Sequence, residues 1–156
     1  MPKNIMHILL TAAVGWGLLL SAAAAFAGST DIQWYSYESG IKQIKKSDKK
    51  GYLHFYTDWC SYCKMMQQET FSDADVVAYL NANFIPIRVN AEEEPKVARQ
   101  YGANQFPFNW FVDQEAERIG SQPGFIPPES MVHVLRYIGS DDYKKMQFGE
   151  YREQQE

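Results

Sequence analysis

The sequence predicts an α/β domain built on βαβ units. Short apolar, aromatic-rich runs alternate along the chain with segments of helical composition, and strands that alternate with helices form such units. The length, 156 residues, suits one domain, and no internal repeat or low-complexity linker divides it. A third observation concerns chemistry. The only two cysteines, Cys60 and Cys63, are separated by two residues and directly follow a predicted strand, within "HFYTDWCSYCKMM".

The elements follow in order. Ile32 to Tyr37 is a short mixed segment, a candidate first strand. Ser39 to Lys50 sets Ile41 and Ile44 among lysines, the narrow stripe of a short amphipathic helix, with Gly51 as its expected end. "YLHFYT", Tyr52 to Thr57, is apolar and aromatic and reads as a buried strand. Cys60 to Gln68 favours helix by composition. Ser72 or Asp73 can cap a second helical piece running to about Asn81. "FIPIRVN", Phe84 to Asn90, alternates as a strand does, and Pro86 inside it points to an edge or a strand start. "AEEEPKVARQYG" places acids before bases and Gly102 just past the end, the order a helix dipole favours. Phe108 to Asp113 is another strand, and "QEAERIG" turns into a short strand from Arg118 to Ser121. "PPESMVHVLRYIG" begins on Pro127 and Pro128 and spaces Met131, Val134, Leu135 and Ile138 along one helical face. Residues 140–156 read as a short polar C-terminal tail through which Tyr143, Met146, Phe148 and Tyr151 are spaced.

Residues 1–27 have the features of a secretory signal peptide. Lys3 and the amino terminus precede a nearly continuous apolar run from Ile5 to Phe26, and Ala25-Phe26-Ala27 fits the small-x-small cleavage rule. The alternative is an uncleaved anchor, since about 20 apolar residues span a bilayer. Either reading places residues 28–156 outside the cytoplasm, because the positive charge precedes the apolar run and the next basic residue is Lys42. A periplasmic or otherwise secreted domain is therefore expected. Cleavage would leave 14 basic against 19 acidic side chains, a formal charge of −5. Nothing in this balance suggests a nucleic-acid partner, which wants a basic patch. After residue 27 the chain holds Trp34, Trp59, Trp110, ten tyrosines and eight phenylalanines. They suit either an aromatic core or an apolar surface around a site.

A lone cysteine pair has three uses: a structural staple, half of a metal site, or a working redox couple. A staple gains with loop length, and a loop of about four residues is worth roughly 1.9 kcal/mol against about 3 for fifteen. Structural zinc takes four ligands, and the chain after residue 27 offers only these cysteines plus His54 and His133. Covalent haem attachment needs a histidine after the second cysteine, where Lys64 stands. The redox reading fits the local physics. A cysteine at the first turn of a helix faces the positive end of the dipole and free backbone N–H groups, both of which favour the thiolate nucleophile. That describes Cys60. Cys63, about 5–6 Å away on a helix, suits the Cα spacing of a disulfide and can resolve a mixed disulfide formed by Cys60. Lys64 adds positive potential or is a solvated helix residue.

"TDWCSYCK", the following "ETFSDADVVAYLNANFIPIRVN", Tyr101-Gly102 and "FPFNWFVD" together resemble the thioredoxin superfamily. The similarity is to its exported branch, which includes the C-terminal domain of DsbD-type transmembrane reductases and small periplasmic thioredoxin-related proteins. It runs from about Trp34 to Tyr151. The resemblance implies a thioredoxin fold, with a central mixed β-sheet flanked by helices. It implies that Pro107 is cis beside the cysteine pair, that the backbone of Phe106 pairs with an extended substrate segment, and that Trp59 sits at the surface beside Cys60. Ordinary packing is the other reading of Trp59.

Three positions depart from the branch. His54 stands where many relatives carry a buried Asp that helps move the resolving thiol's proton. A histidine there could act as a general base, or sit as a satisfied neutral strand residue. Gln67 replaces a frequent Glu, and Phe106 is bulky where relatives carry a small or β-branched residue. The resulting expectation is a monomeric thiol–disulfide oxidoreductase that needs no bound cofactor or metal. It would act on exported proteins with cysteines or disulfides and draw electrons from a membrane dithiol reductase. The alternatives are a disulfide oxidase or isomerase, and a redox-silent peptide-binding module.

Overall fold

The computed structural model describes residues 30–155, so the expected signal peptide, residues 1–27, lies outside the described residues. The elements are α1 (Tyr37–Ile44), β1 (Lys50–Tyr56), α2 (Ser61–Gln68), α3 (Ala74–Asn83), β2 (Phe84–Asn90), α4 (Pro95–Gln100), β3 (Phe108–Val112), β4 (Arg118–Pro123), α5 (Pro128–Gly139) and α6 (Phe148–Glu153). A 3-10 turn spans Asp142–Lys144. None of the described helices is long and apolar enough to cross a membrane.

Strand β1 is the axis of the molecule. The sheet order is β2-β1-β3-β4. β1 runs parallel to β2 and antiparallel to β3, and β3 is antiparallel to β4, which makes the sheet mixed. Side chains of a strand alternate between faces, and β1 fills both. Tyr52 packs with Met66 of α2, Val76 and Leu80 of α3, and Met131 and Leu135 of α5. Leu53 and Phe55 pack on the other face with Ile44 of α1, Ala98 of α4 and Ile85, Ile87 and Val89 of β2. Helices therefore cover both faces, and a central strand buried on both sides needs the near-continuous apolar run that Tyr52 to Tyr56 supplies.

Pro86 sits in the edge strand β2. Its carbonyl accepts a hydrogen bond from Tyr35 N–H, on the side away from β1, and Arg88 N–H donates to Tyr35 O. The N–H that proline lacks would have pointed to that outer side, so no ladder bond with β1 is lost. The candidate first strand is reduced to this one bridge, Tyr35 to Ile87.

Two expectations are corrected. Gly51 does not end a helix. α1 stops at Ile44 with Lys45 as its C-cap, and Lys50 and Gly51 already belong to β1. The glycine is needed for space, since a Cβ there would lie 2.4 Å from Ile44 Cδ1 and 2.6 Å from Val112 Cγ2. The polar C-terminal segment is not a simple tail. It folds back on α5, where Tyr137 packs on Phe148 and Tyr151 at ring distances of 5.3 and 5.2 Å and donates its hydroxyl to Met146 O at 2.6 Å.

The core holds one polar knot. Asn109 of β3 donates from Nδ2 to Gln122 O at 2.9 Å and Gly124 O at 3.2 Å. Its Oδ1 accepts from Tyr52 Oη–H at 2.7 Å and lies 3.0 Å from His54 Nδ1. With the amide nitrogen spent on two carbonyls, Oδ1 must face the ring, so His54 donates from Nδ1. The ring is buried, with Phe71 edge-on at 4.8 Å. Burial is the main cause that lowers its pKa from 6.5 to about 4, with the charge of Arg88 acting the same way and the Asn109 bond opposing.

Two outcomes follow from this packing. Gly51→Ala should destabilise the fold by about 1–3 kcal/mol through overpacking, read as a lower urea midpoint. His54 binds its proton more weakly folded than unfolded. Its contribution to stability is present above pH 6.5 and is lost as pH falls towards about 4, by at most about 3 kcal/mol. Urea midpoints between those limits should fall less steeply for His54→Gln than for the unaltered protein. Equal slopes would show that His54 is not buried neutral.

Candidate active site

The chain leaves β1 at Tyr56 and turns through Thr57, Asp58 and Trp59 before α2 begins. Cys60 N–H donates to Thr57 O at 3.3 Å and closes the turn. Cys60 is the N-cap of α2, with extended backbone at φ −72° and ψ 108°. That position ordinarily takes a side-chain oxygen to accept an orphan N–H. Here the sulfur does so: Cys63 N–H donates to Cys60 Sγ at 3.1 Å. The two cysteines form a disulfide, with Cα atoms 5.2 Å apart, and each is 5% exposed. When the disulfide opens, the Cys63 N–H and the helix dipole both face the Cys60 sulfur and favour its thiolate. No acidic residue in the first turn of α2 opposes them.

Trp59 lies at the surface beside Cys60, 66% exposed. It is held there by Glu92. The indole Nε1–H donates to Glu92 Oε1 at 3.1 Å, and Asp58 N–H reaches Oε2 at 3.4 Å. The Phe106 ring meets the Trp59 ring edge-on at 6.3 Å. The Phe106–Pro107 peptide is cis, and Pro107 O accepts from Gly124 N–H at 2.8 Å. The turn before α2 and the loop before β3 thus meet at the rings of Phe106 and Trp59, the residue preceding Cys60.

On the Cys63 side lies a cavity of about 170 Å³, lined by Thr57, Cys63, Lys64, Gln67 and Arg88 among others. The register places Arg88 opposite His54 on the neighbouring strand. Its guanidinium lies 4.3 Å over the Tyr56 ring. Among the described residues, Thr57 Oγ1 and Arg88 Nε are buried with no protein partner. Gln67, the replacement for a titratable residue, therefore stands on the same cavity as Cys63.

His54 is not part of that lining. It stands in the core, tied to Asn109, and a pKa near 4 makes it a poor acceptor for a thiol proton. The geometry supports the neutral strand residue over the general base. Three residues that shape the site escaped the sequence reading. Glu92 was absorbed into the acidic start of a helix, Arg88 into an alternating strand, and Asn109 into the apolar run "FNWFV". The signal for Asn109 was an amide inside a strand otherwise fit for the core. Among the described residues, no group of three or more His, Cys, Asp or Glu side chains is placed to hold a metal ion.

The model of a thioredoxin-like domain family matches residues 37–139. The chain is 31% identical over 108 residues to spermatogenesis-associated protein 20 of Rattus norvegicus, an alignment covering 63% of this chain and 13% of that much longer protein. Among solved structures, a thioredoxin from Thermus thermophilus superposes with a TM-score of 0.64 at 24% identity, covering 69% of this chain and 87% of that one. DsbH oxidoreductase superposes with a TM-score of 0.58 at 16% identity, covering 92% and 96%. At such identities the structural likeness is one of fold. With the mixed sheet and the Cys-x-x-Cys pair at the start of α2, the family match over most of the described chain establishes that the protein belongs to the thioredoxin-like domain family.

Proposed function

We propose that the protein is an exported thiol–disulfide oxidoreductase that reduces disulfides of periplasmic proteins through Cys60 and Cys63. The observation that carries the chemistry is the Cys60 sulfur at the N-cap of α2, receiving the Cys63 N–H. The Cys60 thiolate attacks one sulfur of a substrate disulfide. The substrate S–S bond breaks, its other sulfur leaves as a thiolate and takes up a proton, and a mixed disulfide forms. Cys63, once deprotonated, attacks Cys60 Sγ and expels the second substrate sulfur. Two electrons pass to the substrate and the Cys60–Cys63 bond closes. A membrane dithiol reductase, the donor the resemblance suggests, would reverse the last step with its own two thiols.

Arg88 has a part in the resolving step. Its charge borders the cavity on which Cys63 lies and would steady the Cys63 thiolate. Phe106 supports substrate pairing. Among the described residues, neither its N–H nor its C=O makes a backbone hydrogen bond, which leaves both for an extended segment. No bound cofactor enters the scheme, and one chain suffices for it. The signal-peptide-like sequence of residues 1–27 supports export, and the branch resemblance supports the reducing direction.

Equilibration with glutathione or dithiothreitol buffers tests the direction. A reduction potential near about −270 mV fits a reductant, and one near about −120 mV would reassign the protein as an oxidant. Cys60→Ser should abolish exchange, whereas Cys63→Ser should accumulate a substrate-linked mixed disulfide at Cys60, visible by mass. If the pair shows no reversible two-electron exchange, the redox-silent peptide-binding module takes the place of this reading.

A further inference from the structure

We propose that the surface around the disulfide selects segments that are apolar beside their cysteine and carry lysine or arginine towards the Trp59 flank. This rests on the oxidoreductase reading and specifies its substrate class. Three large apolar side chains stand out as exposed among the described residues: Trp59 at 66%, Tyr62 at 60% and Met65 at 38%. All three lie between residues 59 and 65, in the turn before α2 and in α2 itself. Trp59 precedes Cys60, Tyr62 lies between the cysteines, and Met65 is the i+3 neighbour of Tyr62 on one helical face. Half-buried Phe106 extends the patch through its edge contact with Trp59. Single exposed apolar residues need no explanation, but a run of them beside a reactive disulfide marks an interaction face.

Charge decides what this face takes. The Trp59 flank carries Glu92, with Glu93 and Glu94 next to it in the chain. None of them is in an ion pair among the described residues. Glu92 spends its two oxygens on Trp59 Nε1–H and Asp58 N–H, which fixes a carboxylate against the indole. Glu93, the next residue in the chain, is exposed. Lys64 and Arg88 line the cavity on the Cys63 side, where Asp58 offsets one of the two positive charges. The potential across the disulfide is therefore polarised, and a segment laid over it is oriented. An apolar residue next to the substrate cysteine covers Tyr62 and Met65. A cationic side chain on the Trp59 flank meets the carboxylates and the indole face. A second copy of this chain is the wrong occupant, because a symmetric contact would bring the same carboxylates together and the chain carries a net charge of −4.

The test uses two peptides, each with leucines beside a single cysteine held as a mixed disulfide with 2-mercaptoethanol. One carries two arginines at one end, the other two aspartates. Rates with the reduced protein are referred to bis(2-hydroxyethyl) disulfide on the same variant. At low salt the arginine peptide should react about tenfold faster than the aspartate peptide. The ratio should approach one as ionic strength rises from about 0.01 M to about 1 M, which shortens the Debye length from about 30 Å to about 3 Å. Glu93→Lys with Glu94→Lys should shrink it at low salt, and Trp59→Ala should slow both peptides relative to the small disulfide. Equal rates, or a faster aspartate peptide, with the small disulfide still turned over would overturn the substrate class and leave the oxidoreductase reading intact. No exchange with any of the three disulfides would sink that reading, and this inference with it.

Discussion

The chemistry available to this molecule depends on one substitution of atoms: a sulfur stands where a helix normally receives an oxygen. Cys60 ends a turn and starts α2 at once, so its side chain must serve both the backbone and any reaction. The N–H it accepts from Cys63 is a requirement of the helix, met whether or not a substrate is present. That ties the reactive atom to the secondary structure. Strand β1, buried along nearly its whole length, delivers the chain to this point.

Around that point the two flanks differ in kind. The Trp59 side is built from a carboxylate gripping an indole, and the Cys63 side from a guanidinium stacked on a tyrosine. The core behind them is electrically quiet. There a neutral histidine is tied to an asparagine with all its bonds filled. The charges set around the disulfide are Glu92 on one flank and Lys64, Arg88 and Asp58 on the cavity of the other.

Much of this was legible in the sequence, and what was not has physical reasons. Strand alternation, the Asp73 cap and the edge position of Pro86 are local signals, and each survives in the structure. Cys60 and Cys63 announce themselves by spacing, and the cis Phe106–Pro107 bond came from family resemblance alone. Gly51 was misread because a glycine that allows close approach looks the same as one that ends a helix. Only the positions of Ile44 and Val112 distinguish them. Glu92 and Arg88 act across elements, and a partner that lies 33 residues away, as Glu92 does from Trp59, leaves no local pattern. The aromatic spacing of the C-terminal segment was visible, but its target on α5 was not.

The two edges of the sheet carry a consequence for how the molecule behaves among other chains. At one edge Tyr35 bridges β2, and Pro86 removes a donor from the outer side. At the other, β4 begins with Arg118, ends with Pro123 and is kinked by an irregularity where Phe111 and Val112 meet it. Charge, proline and irregular register are the devices that stop an edge strand from recruiting a stranger. The backbone of Phe106 lacks such protection: among the described residues it makes no backbone hydrogen bond, and its ring meets Trp59, the neighbour of Cys60. The sheet edges are guarded against added strands, and on the proposed reading the backbone of Phe106 is where an extended chain would pair.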